Sequence, residues 1–522
     1  MKIYSFSPFG YEGNLVSVEV DIRRGIPAVD IVGLADGAVR ESRERVKSAI
    51  RNSGFEFPPE RVLISLSPAD LKKEGAGFDL PLALGVLCAS GGAFSQGQKA
   101  KNTVPLEKKL LVLGELELSG ALRPVRGIHA AASSAAAQGI SLCVLPSANA
   151  LEAMDVPGMK VFGAKNLREA CAALFDESLY SNGRRSGDDS APEGCEEIEG
   201  VLFPPVEEGC AFDEVFGQKE LVRACQIAAA GGHNLLAYGP PGCGKTLAMQ
   251  RFPSLLPLLT EEEARSVTRI HSIAGLIPQG KGLLRTPPFR QPHMSSSLEG
   301  LCGGGSSCRP GEISLAHNGV LFLDEAAEFR SSVLQMLRVP LESGRVTLSR
   351  AGRTAAYPAA FQLLMAANPC PCGNYGSDKK ICLCSGRAVE LYWRKFSAPL
   401  MDRMDLRVKV DVPDQDEEER RSPCSTRDLR LKVARAVKIQ RSRQVVKNAR
   451  LGPEESAAFC KLSEEAALSL ESAVQRLDLS PRAAASCKKV ARTIADMDGS
   501  EMIEAAHMAE AVDYRRPVGL LA

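Results

Sequence analysis

One stretch of eight residues constrains the fold of this chain more than any other. Residues 239–246 read GPPGCGKT and directly follow a short strand-like run at residues 234–238. The order strand, glycine-rich loop, helix lets backbone N–H groups and a helix N-terminus surround phosphate oxygens. We therefore predict a phosphate-binding loop made of Gly239, Pro240, Pro241, Gly242, Cys243, Gly244, Lys245 and Thr246.

The chemistry of such a loop needs a cation and a magnesium ligand, and both are present. Lys245 would neutralise charge on the β- and γ-phosphates, and the hydroxyl of Thr246 can ligate Mg²⁺. A second apolar run, residues 319–323, ends in Asp324 and Glu325. Asp324 would hold the hydrated Mg²⁺ and Glu325 would polarise an attacking water. The sequence therefore predicts ATP and Mg²⁺ as cofactors.

Hydrolysis also needs a polar group to place the water and cations to stabilise charge on the γ-phosphate. Asn368 follows the apolar run 361–367 and could be that polar group, with capping of the turn before Pro369 as the alternative. Arg403 and Arg482 are the candidate cations. An arginine outside a recognisable motif is more often a surface residue, so the assignment of these two as catalytic cations depends on the family resemblance given below.

Length and composition exclude several classes of protein. A chain of 522 residues suggests about three or four folding units. Hydrophobic residues at 44% and charged residues at 24% are ordinary globular values, which disfavours global disorder or a coiled coil. Neither the N-terminus nor the weakly apolar stretch 127–151 reads as a signal or a membrane span, so we expect a cytoplasmic protein without membrane partners.

A run of Ser, Gly, Asp, Glu and Pro over residues 177–200 is the clearest boundary in the chain. Before it, strand-like runs such as 15–20 and 61–66 alternate with helical stretches such as 36–52 and 127–138. After it, strands alternate with helices to about residue 412, which is typical of a parallel, doubly wound sheet, and the remainder is helical. We predict an N-terminal domain over 1–176, a linker over 177–204, an α/β core over 205–422 and a helical domain over 423–522.

Four cysteines form two C-x-C pairs separated by nine residues: Cys370, Cys372, Cys382 and Cys384. Four thiolates can close a tetrahedral structural Zn²⁺ site, and buried or incidental thiols are the alternative. Cys302 and Cys308 have no matching pair and are interpreted as incidental.

Lys and Arg total 64 against 63 acidic residues, so any electrostatic partner must be found in local clusters. Residues 427–450 carry nine basic side chains against one acid and could follow a phosphate backbone, or could equally be a solvated or subunit-contacting helix. Arg345, Arg350 and Arg353 form a second basic cluster.

Several segments together resemble the magnesium-chelatase-like AAA+ ATPases, and over nearly the full length their YifB/ComM branch. They are VFGQ at 215–218, the GPPGCGKT loop, RQPH at 290–293, RPGEISLAHNG at 309–319 running into LFLDE, ANPCPCG at 367–373 and VARTIAD at 490–496. The resemblance implies a hexameric ring with ATP bound between subunits, an AAA+ P-loop ATPase core and an α-helical lid. It makes Asn368 the first sensor, Arg403 an arginine finger acting on a neighbour's ATP and Arg482 the second sensor. It also implies a helix-2 insert at about 284–312 and a hairpin at about 343–357, both facing the pore.

The N-terminal domain resembles the Lon-protease-like (ribosomal S5 domain 2-like) α+β domain. The carrying segments are EGAGFD at 74–79, GELELSG at 114–120 and RPVRGI at 123–128. In that register the catalytic serine position is Gly75 and the lysine position is Ala131, and neither can act as nucleophile or base. We expect no peptidase activity and a scaffolding or DNA-handling role.

Two functions from different classes follow from this resemblance. The first is a hexameric ATPase that moves on single-stranded or branched DNA without sequence specificity, in ComM-like branch migration during recombination and natural transformation. The second is a protein-complex remodelling or chelatase-type ATPase with no DNA substrate. The arginines of the hairpin and the basic segment 427–450 favour the first.

Overall fold

A computed structural model describes residues 2–73, 75–91, 108–183, 193–278, 280–305, 307–350, 353–376, 380–411 and 425–516. Among these residues, every helix is too short or too polar to cross a lipid bilayer.

The N-terminal part is built on one mixed sheet of eight strands, in the order β10-β9-β8-β5-β1-β2-β4-β3. Strands β6 and β7 form a separate short pair. Strands β1 to β10 are Lys2–Ser7, Asn14–Arg23, Ala28–Val32, Arg61–Ser67, Lys109–Val112, Glu115–Leu116, Leu122–Arg123, Leu142–Pro146, Lys160–Ala164 and Ser181–Asn182. Side chains of β4 alternate, and Val62, Ile64 and Leu66 are buried. The strand-like runs 15–20 and 61–66 thus lie in β2 and β4, as predicted.

Five helices of the described residues pack around this sheet. Helices α1 to α5 are Gly37–Asn52, Asp79–Ser90, Ile128–Ala137, Ala150–Met154 and Leu167–Ala173. Asp36 caps α1 by accepting a hydrogen bond from the Val39 N–H at 2.8 Å. Helices α1 and α3 confirm the helical stretches predicted at 36–52 and 127–138.

A second sheet, of five parallel strands, lies in the middle of the chain in the order β14-β17-β20-β13-β21. These strands are β13 Leu235–Tyr238, β14 Phe289–Arg290, β17 Val320–Leu323, β20 Gln362–Ala367 and β21 Leu406–Lys409. Strands β17 and β20 are buried along their whole length, as expected for a parallel sheet covered on both faces. The predicted parallel α/β core is therefore confirmed.

Helices and short pairs of strands surround the parallel sheet. Helices α6 to α14 are Lys219–Gly231, Lys245–Arg251, Glu261–Ala274, Leu298–Cys302, Glu312–Leu315, Ser331–Met336, Arg338–Ser343, Gly386–Arg394 and Ala398–Met401. Strands β15 Gly303–Gly304 and β16 Arg309–Pro310 pair within the predicted insert. Strands β18 Arg345–Arg350 and β19 Arg353–Pro358 form the hairpin that the resemblance implies.

The C-terminal part is helical. Helices α15 to α19 are Thr426–Arg443, Pro453–Phe459, Glu464–Leu477, Pro481–Asp498 and Ala505–Asp513. Val433 of α15 and Ile494 of α18 share one buried apolar cluster with Leu221 of α6. The helical part therefore packs directly on the core of the parallel sheet.

The predicted linker over 177–204 needs a correction. Its described residues include β10, which joins the N-terminal sheet, and the pair β11 Glu196–Ile198 and β12 Val201–Phe203. Phe203 is fully buried in the cluster that surrounds the parallel sheet. The second half of this range is therefore part of the core. The predicted boundary between the α/β core and the helical domain, at residues 422–423, lies outside the described residues.

The N-terminal part packs on the core through α3, which lies against α8. The Gly127 N–H donates to the Ser272 carbonyl oxygen at 3.0 Å. The loop between β1 and β2 reaches the hairpin, where the Tyr11 N–H donates to the Ala356 carbonyl oxygen at 3.3 Å.

Candidate functional site

The glycine-rich loop joins β13 to α7 in the predicted order. Gly242 and Gly244 have φ angles of +81° and +85°, in the left-handed region that favours glycine. A Cβ on Gly239 would lie 1.9 Å from the carbonyl oxygen of Val410. Side chains at these three positions would therefore force the loop to move.

Lys245 begins α7 and its side chain is buried under the loop. Its Nζ donates to the carbonyl oxygens of Gly239 and Pro240, both at 2.7 Å. The ammonium group is thus held beside the loop, where phosphate oxygens would compete for its three donors.

The carboxyl end of β17 brings Asp324 to the loop. The hydroxyl Oγ1 of Thr246 donates to Oδ1 of Asp324 at 3.0 Å, and the Glu325 N–H donates to the same oxygen at 3.0 Å. Mg²⁺ prefers oxygen ligands and is usually held by one or two protein groups together with substrate phosphates. The contact between Thr246 and Asp324 fits that requirement.

Glu325 and Asn368 complete the same cavity, which has a volume of about 390 Å³. Glu325 has a φ angle of +46°, an uncommon conformation for a residue with a side chain that is often found at functional sites. Asn368 follows β20, which lies between β17 and β13 in the sheet. The structure therefore brings Lys245, Thr246, Asp324, Glu325 and Asn368 together around one cavity.

Arg403 and Arg482 are placed elsewhere and do not line this cavity. Both approach one carboxylate, that of Glu342 in α12. The Nη2 of Arg403 donates to Glu342 Oε2, and the Nη1 of Arg482 lies 3.7 Å from Glu342 Oε1. Sequence reasoning missed Glu342, because an exposed glutamate two residues before a glycine carries no motif.

The segment that carries Arg403 is attached to the helix that carries Arg482. Ser480, the residue that caps α18, donates to Asp402 Oδ2 at 3.2 Å. Ser486 of the same helix donates to Asp405 Oδ1. The two arginines therefore belong to one connected unit of the core and the helical part.

The four predicted cysteines converge, and their sulfur atoms all lie within 4.8 Å of one another. The sulfur of Cys370 is 3.4 Å from that of Cys372 and 3.7 Å from that of Cys382, and the last two are 3.6 Å apart. With Zn–S bonds of about 2.3 Å, sulfurs at the corners of a tetrahedron lie about 3.8 Å apart. The cluster therefore has dimensions that fit a four-cysteine zinc site.

The four thiols differ in acidity. A hydrogen bond from the Asn374 N–H, helped by the thiol of Cys370, lowers the pKa of Cys372 to about 6, whereas burial and the neighbouring thiols outweigh a backbone hydrogen bond and raise the pKa of Cys382 and Cys384. A thiolate is the form that binds metal. Cys302 lies outside the cluster, with its sulfur 2.8 Å from that of Met336.

The cysteine loop also touches the phosphate-binding loop. A Cβ on Gly373, whose φ angle is +80°, would lie 2.7 Å from Cδ of Pro241. Trp393 Nε1 donates to the carbonyl oxygen of Pro369 at 3.0 Å. The cluster therefore supports the segment that directly follows Asn368.

Most of the basic side chains in residues 427–450 are engaged inside the subunit. Arg430 is buried and donates to the carbonyl oxygens of Ser254 at 2.7 Å and Pro204 at 2.9 Å. Further ion pairs join Arg427 and Arg430 to Glu196, Arg435 and Lys438 to Glu199, and Arg443 to Asp496. These contacts within the subunit count against a surface that follows a phosphate backbone.

The hairpin arginines differ in their surroundings. The guanidinium carbon of Arg353 lies 3.7 Å from the ring centroid of Phe9, in the N-terminal part. Arg345 begins β18, and the backbone of Arg350 ends it, while the side chain of Arg350 lies outside the described atoms.

Gly75 and Ala131 are the two positions that correspond to the Lon serine and lysine in the predicted register. Gly75 has a φ angle of +92° and no atom within 4 Å of where its Cβ would be, and Ala131 is fully buried in α3. Neither residue carries a nucleophile or a base, so this register provides no peptidase chemistry.

A match to a known protein family covers the residues that line this cavity. The chain matches family models described as "Magnesium chelatase, subunit ChlI" over residues 211–419, "Subunit ChlI of Mg-chelatase" over 18–149 and "Magnesium chelatase, subunit ChlI C-terminal" over 424–515.

Its relatives include the uncharacterised protein YifB of Escherichia coli, 39% identical over 98% of this chain and 96% of YifB. The competence protein ComM of Haemophilus influenzae is 37% identical over 99% of this chain and 98% of ComM. The magnesium-chelatase 38 kDa subunit of Acidiphilium rubrum is 28% identical, over 30% of this chain and 52% of that subunit.

Proposed function

Since this chain belongs to the YifB/ComM group of the magnesium-chelatase-like family, we propose that it is an AAA+ ATPase that works as a hexameric ring on DNA. The observation that carries the ATPase part is the convergence of Lys245, Thr246, Asp324, Glu325 and Asn368 around one cavity.

Each of these residues has a role in the proposed hydrolysis. Lys245 would neutralise the phosphates, Glu325 would orient and polarise the attacking water, and Asn368 would fix the position of that water. Thr246 and Asp324 would hold Mg²⁺, which supplies charge neutralisation on the phosphate oxygens.

The position of Arg403 supports a ring. Arg403 lies outside the cavity of its own subunit, so a site that needs an arginine finger beside the γ-phosphate would obtain it from a neighbour, and Arg482 would be the second sensor. An arginine supplied in trans makes turnover depend on assembly.

The DNA part of the proposal depends on the hairpin and on the similarity to ComM, whose name refers to competence. In sequence, the hairpin carries Arg345, Arg350 and Arg353, and basic residues of this kind would contact a phosphate backbone without reading bases. We propose single-stranded or branched DNA as the substrate, in branch migration during recombination and natural transformation.

Two accessory roles complete the proposal. The four-cysteine cluster would bind a structural Zn²⁺, because four protein ligands leave no open position for catalysis. The N-terminal part would be a Lon-like domain without peptidase activity that serves as a scaffold for the core.

Two observations favour the second candidate, an ATPase that remodels a protein complex. The N-terminal part covers Arg353 through Phe9, and the basic helix α15 is engaged by Glu196 and Glu199. Both reduce the cationic surface available to DNA.

ATPase activity, measured with no DNA and with single-stranded, duplex or branched DNA, tests the proposal. We expect turnover that at least one DNA stimulates, no turnover in Glu325→Gln, and DNA binding that weakens steeply with salt. If no DNA stimulates turnover and the protein shows no salt-sensitive binding of DNA, the protein-remodelling function is favoured instead. Absence of nucleotide hydrolysis by the assembled wild-type protein would refute the ATPase itself.

A further inference from the structure

Arg403 is withdrawn into its own subunit. Only 8% of its side chain is exposed. Its Nη1 donates to the carbonyl oxygen of Pro399 at 2.6 Å and its Nη2 donates to Glu342. A guanidinium held in this way faces its own backbone, whereas a group that acts on a neighbour's phosphate must be free to leave the subunit surface.

Glu342 holds two arginines with one carboxylate. Arg482 lies 3.7 Å away on the second carboxylate oxygen, and the hydrogen bond from Arg403, followed by the charges of Arg403 and Arg482, lowers the pKa of Glu342. The two positive charges exceed the single negative charge, so the cluster keeps an attraction for an additional anion.

The ion pair is also open to a competing anion. The side chain of Glu342 is 62% exposed while that of Arg403 is 8% exposed, so solvent and anions reach the pair from the Glu342 side. The terminal phosphate of a nucleotide carries more charge than a carboxylate and accepts several hydrogen bonds, so it would compete well for Arg403.

Glu342 is connected to the base of the hairpin. It lies in the last turn of α12, and Gly344, with a φ angle of +64°, links that helix to β18. Gly344 is held on both sides, since its N–H donates to the Pro340 carbonyl oxygen at 2.9 Å and its own carbonyl oxygen accepts from the Ala359 N–H at 2.7 Å. A displacement of Glu342 would therefore reach both strands of the hairpin.

We propose that Glu342 is a positioning residue that keeps Arg403 withdrawn, releases it to the nucleotide of the neighbouring subunit, and thereby couples that nucleotide to the base of the hairpin. This inference depends on the proposed ATPase function and on Arg403 acting between subunits. It assigns Glu342 a role that neither the motifs nor the comparisons indicate.

The test compares the assembled full-length wild type with Glu342→Gln, which keeps the size of the side chain and removes its charge. Loss of the Glu342 charge should free Arg403 and raise turnover without DNA by about two- to fivefold, with the affinity for a fluorescent ATP analogue unchanged. Hydrogen exchange of the amides in β18 and β19 is the second readout. In the wild type a non-hydrolysable ATP analogue should speed this exchange, and in Glu342→Gln the exchange should be fast already without nucleotide.

Glu390→Gln is the control for loss of a surface glutamate charge, because Glu390 is 53% exposed and pairs with the exposed Arg394 within α13. It should behave as the wild type in both readouts, and Glu342→Asp, which keeps the charge, should lie between wild type and Glu342→Gln. Turnover and hairpin exchange unchanged in Glu342→Gln would overturn the inference while leaving the ATPase proposal intact, and so would a fall in turnover to the level of Arg403→Ala. A wild type that neither binds nor hydrolyses ATP would instead refute the proposed function, and the inference with it.

Discussion

His129 makes the contact between the N-terminal part and the core sensitive to acid. It lies in α3 against α8, only 1% of its surface is exposed, and neither ring nitrogen has a hydrogen-bond partner among the described residues. Burial, together with the positive charges of Arg269 and Arg265, lowers the pKa of His129 to about 3. The native protein therefore holds this imidazole neutral.

The sign and size of the effect follow from linkage. The native pKa of about 3 lies below the ordinary value of about 6.5, so the unfolded chain binds more protons between these values and stability falls as the pH drops below about 6.5. At pH 5 the histidine of the unfolded chain is about 1.5 pH units below its pKa and is mostly protonated, while the native one stays neutral. At about 1.36 kcal/mol per pH unit, this lowers the free energy of unfolding by about 2 kcal/mol. For a cooperative unit of about 150–250 residues this corresponds to a fall of about 4 to 8 °C in the melting temperature.

Thermal unfolding of the wild type and of His129→Leu at pH 7.5 and pH 5.0, followed by circular dichroism, measures this contribution. The change in melting temperature between the two pH values should be smaller in His129→Leu by about 4 to 8 °C. The comparison of two proteins removes the contribution of other titrating groups, and His293→Leu, which removes an exposed imidazole, is the control. Equal acid sensitivity in the wild type and His129→Leu would refute the reasoning.

Three further predictions concern the loop, the cysteines and the hairpin. Lys245→Ala should abolish binding of a fluorescent ATP analogue, because the phosphates lose their buried cation; binding within twofold of the wild type would contradict this role. Cys370→Ser should lower the zinc content from about one per chain to near zero after dialysis against a chelator, and wild-type protein without zinc before and after reconstitution would exclude the site. Phe9→Leu should tighten binding of a single-stranded oligonucleotide by about two- to fivefold, because Arg353 loses its contact with the ring. If the wild type binds DNA and Phe9→Leu binds it equally tightly, the contact with Phe9 does not limit the access of DNA to Arg353.

The core of the site could be predicted because its signals are local. The loop at 239–246 and the run ending in Asp324 and Glu325 each occupy a few consecutive residues, and parallel strands bring their carboxyl ends to the same edge of a sheet. The four cysteines lie within fifteen residues, so a short turn is enough to bring them together.

The remaining contacts join residues far apart in the sequence, which no pattern in a single chain reveals. The basic segment 427–450 reads as a cationic surface, yet its partners Glu196 and Glu199 lie more than two hundred residues earlier. Strands β11 and β12 have three residues each, too few to show an alternating pattern inside a polar stretch, so the linker was predicted too long. The contact of Phe9 with Arg353 depends on how two parts of the chain pack.

Mixing two inactive variants tests most directly whether each ATP site is shared between subunits. Glu325→Gln lacks the water-polarising carboxylate and Arg403→Ala lacks the arginine, so each alone should hydrolyse almost no ATP while still binding it. Equal amounts, dissociated and reassembled together, should recover roughly a quarter of wild-type turnover, because roughly one interface in four then combines an intact Glu325 with an intact Arg403. Turnover that stays at the level of the separate variants, or an Arg403→Ala protein that alone keeps full turnover, would contradict a site completed by the neighbouring subunit.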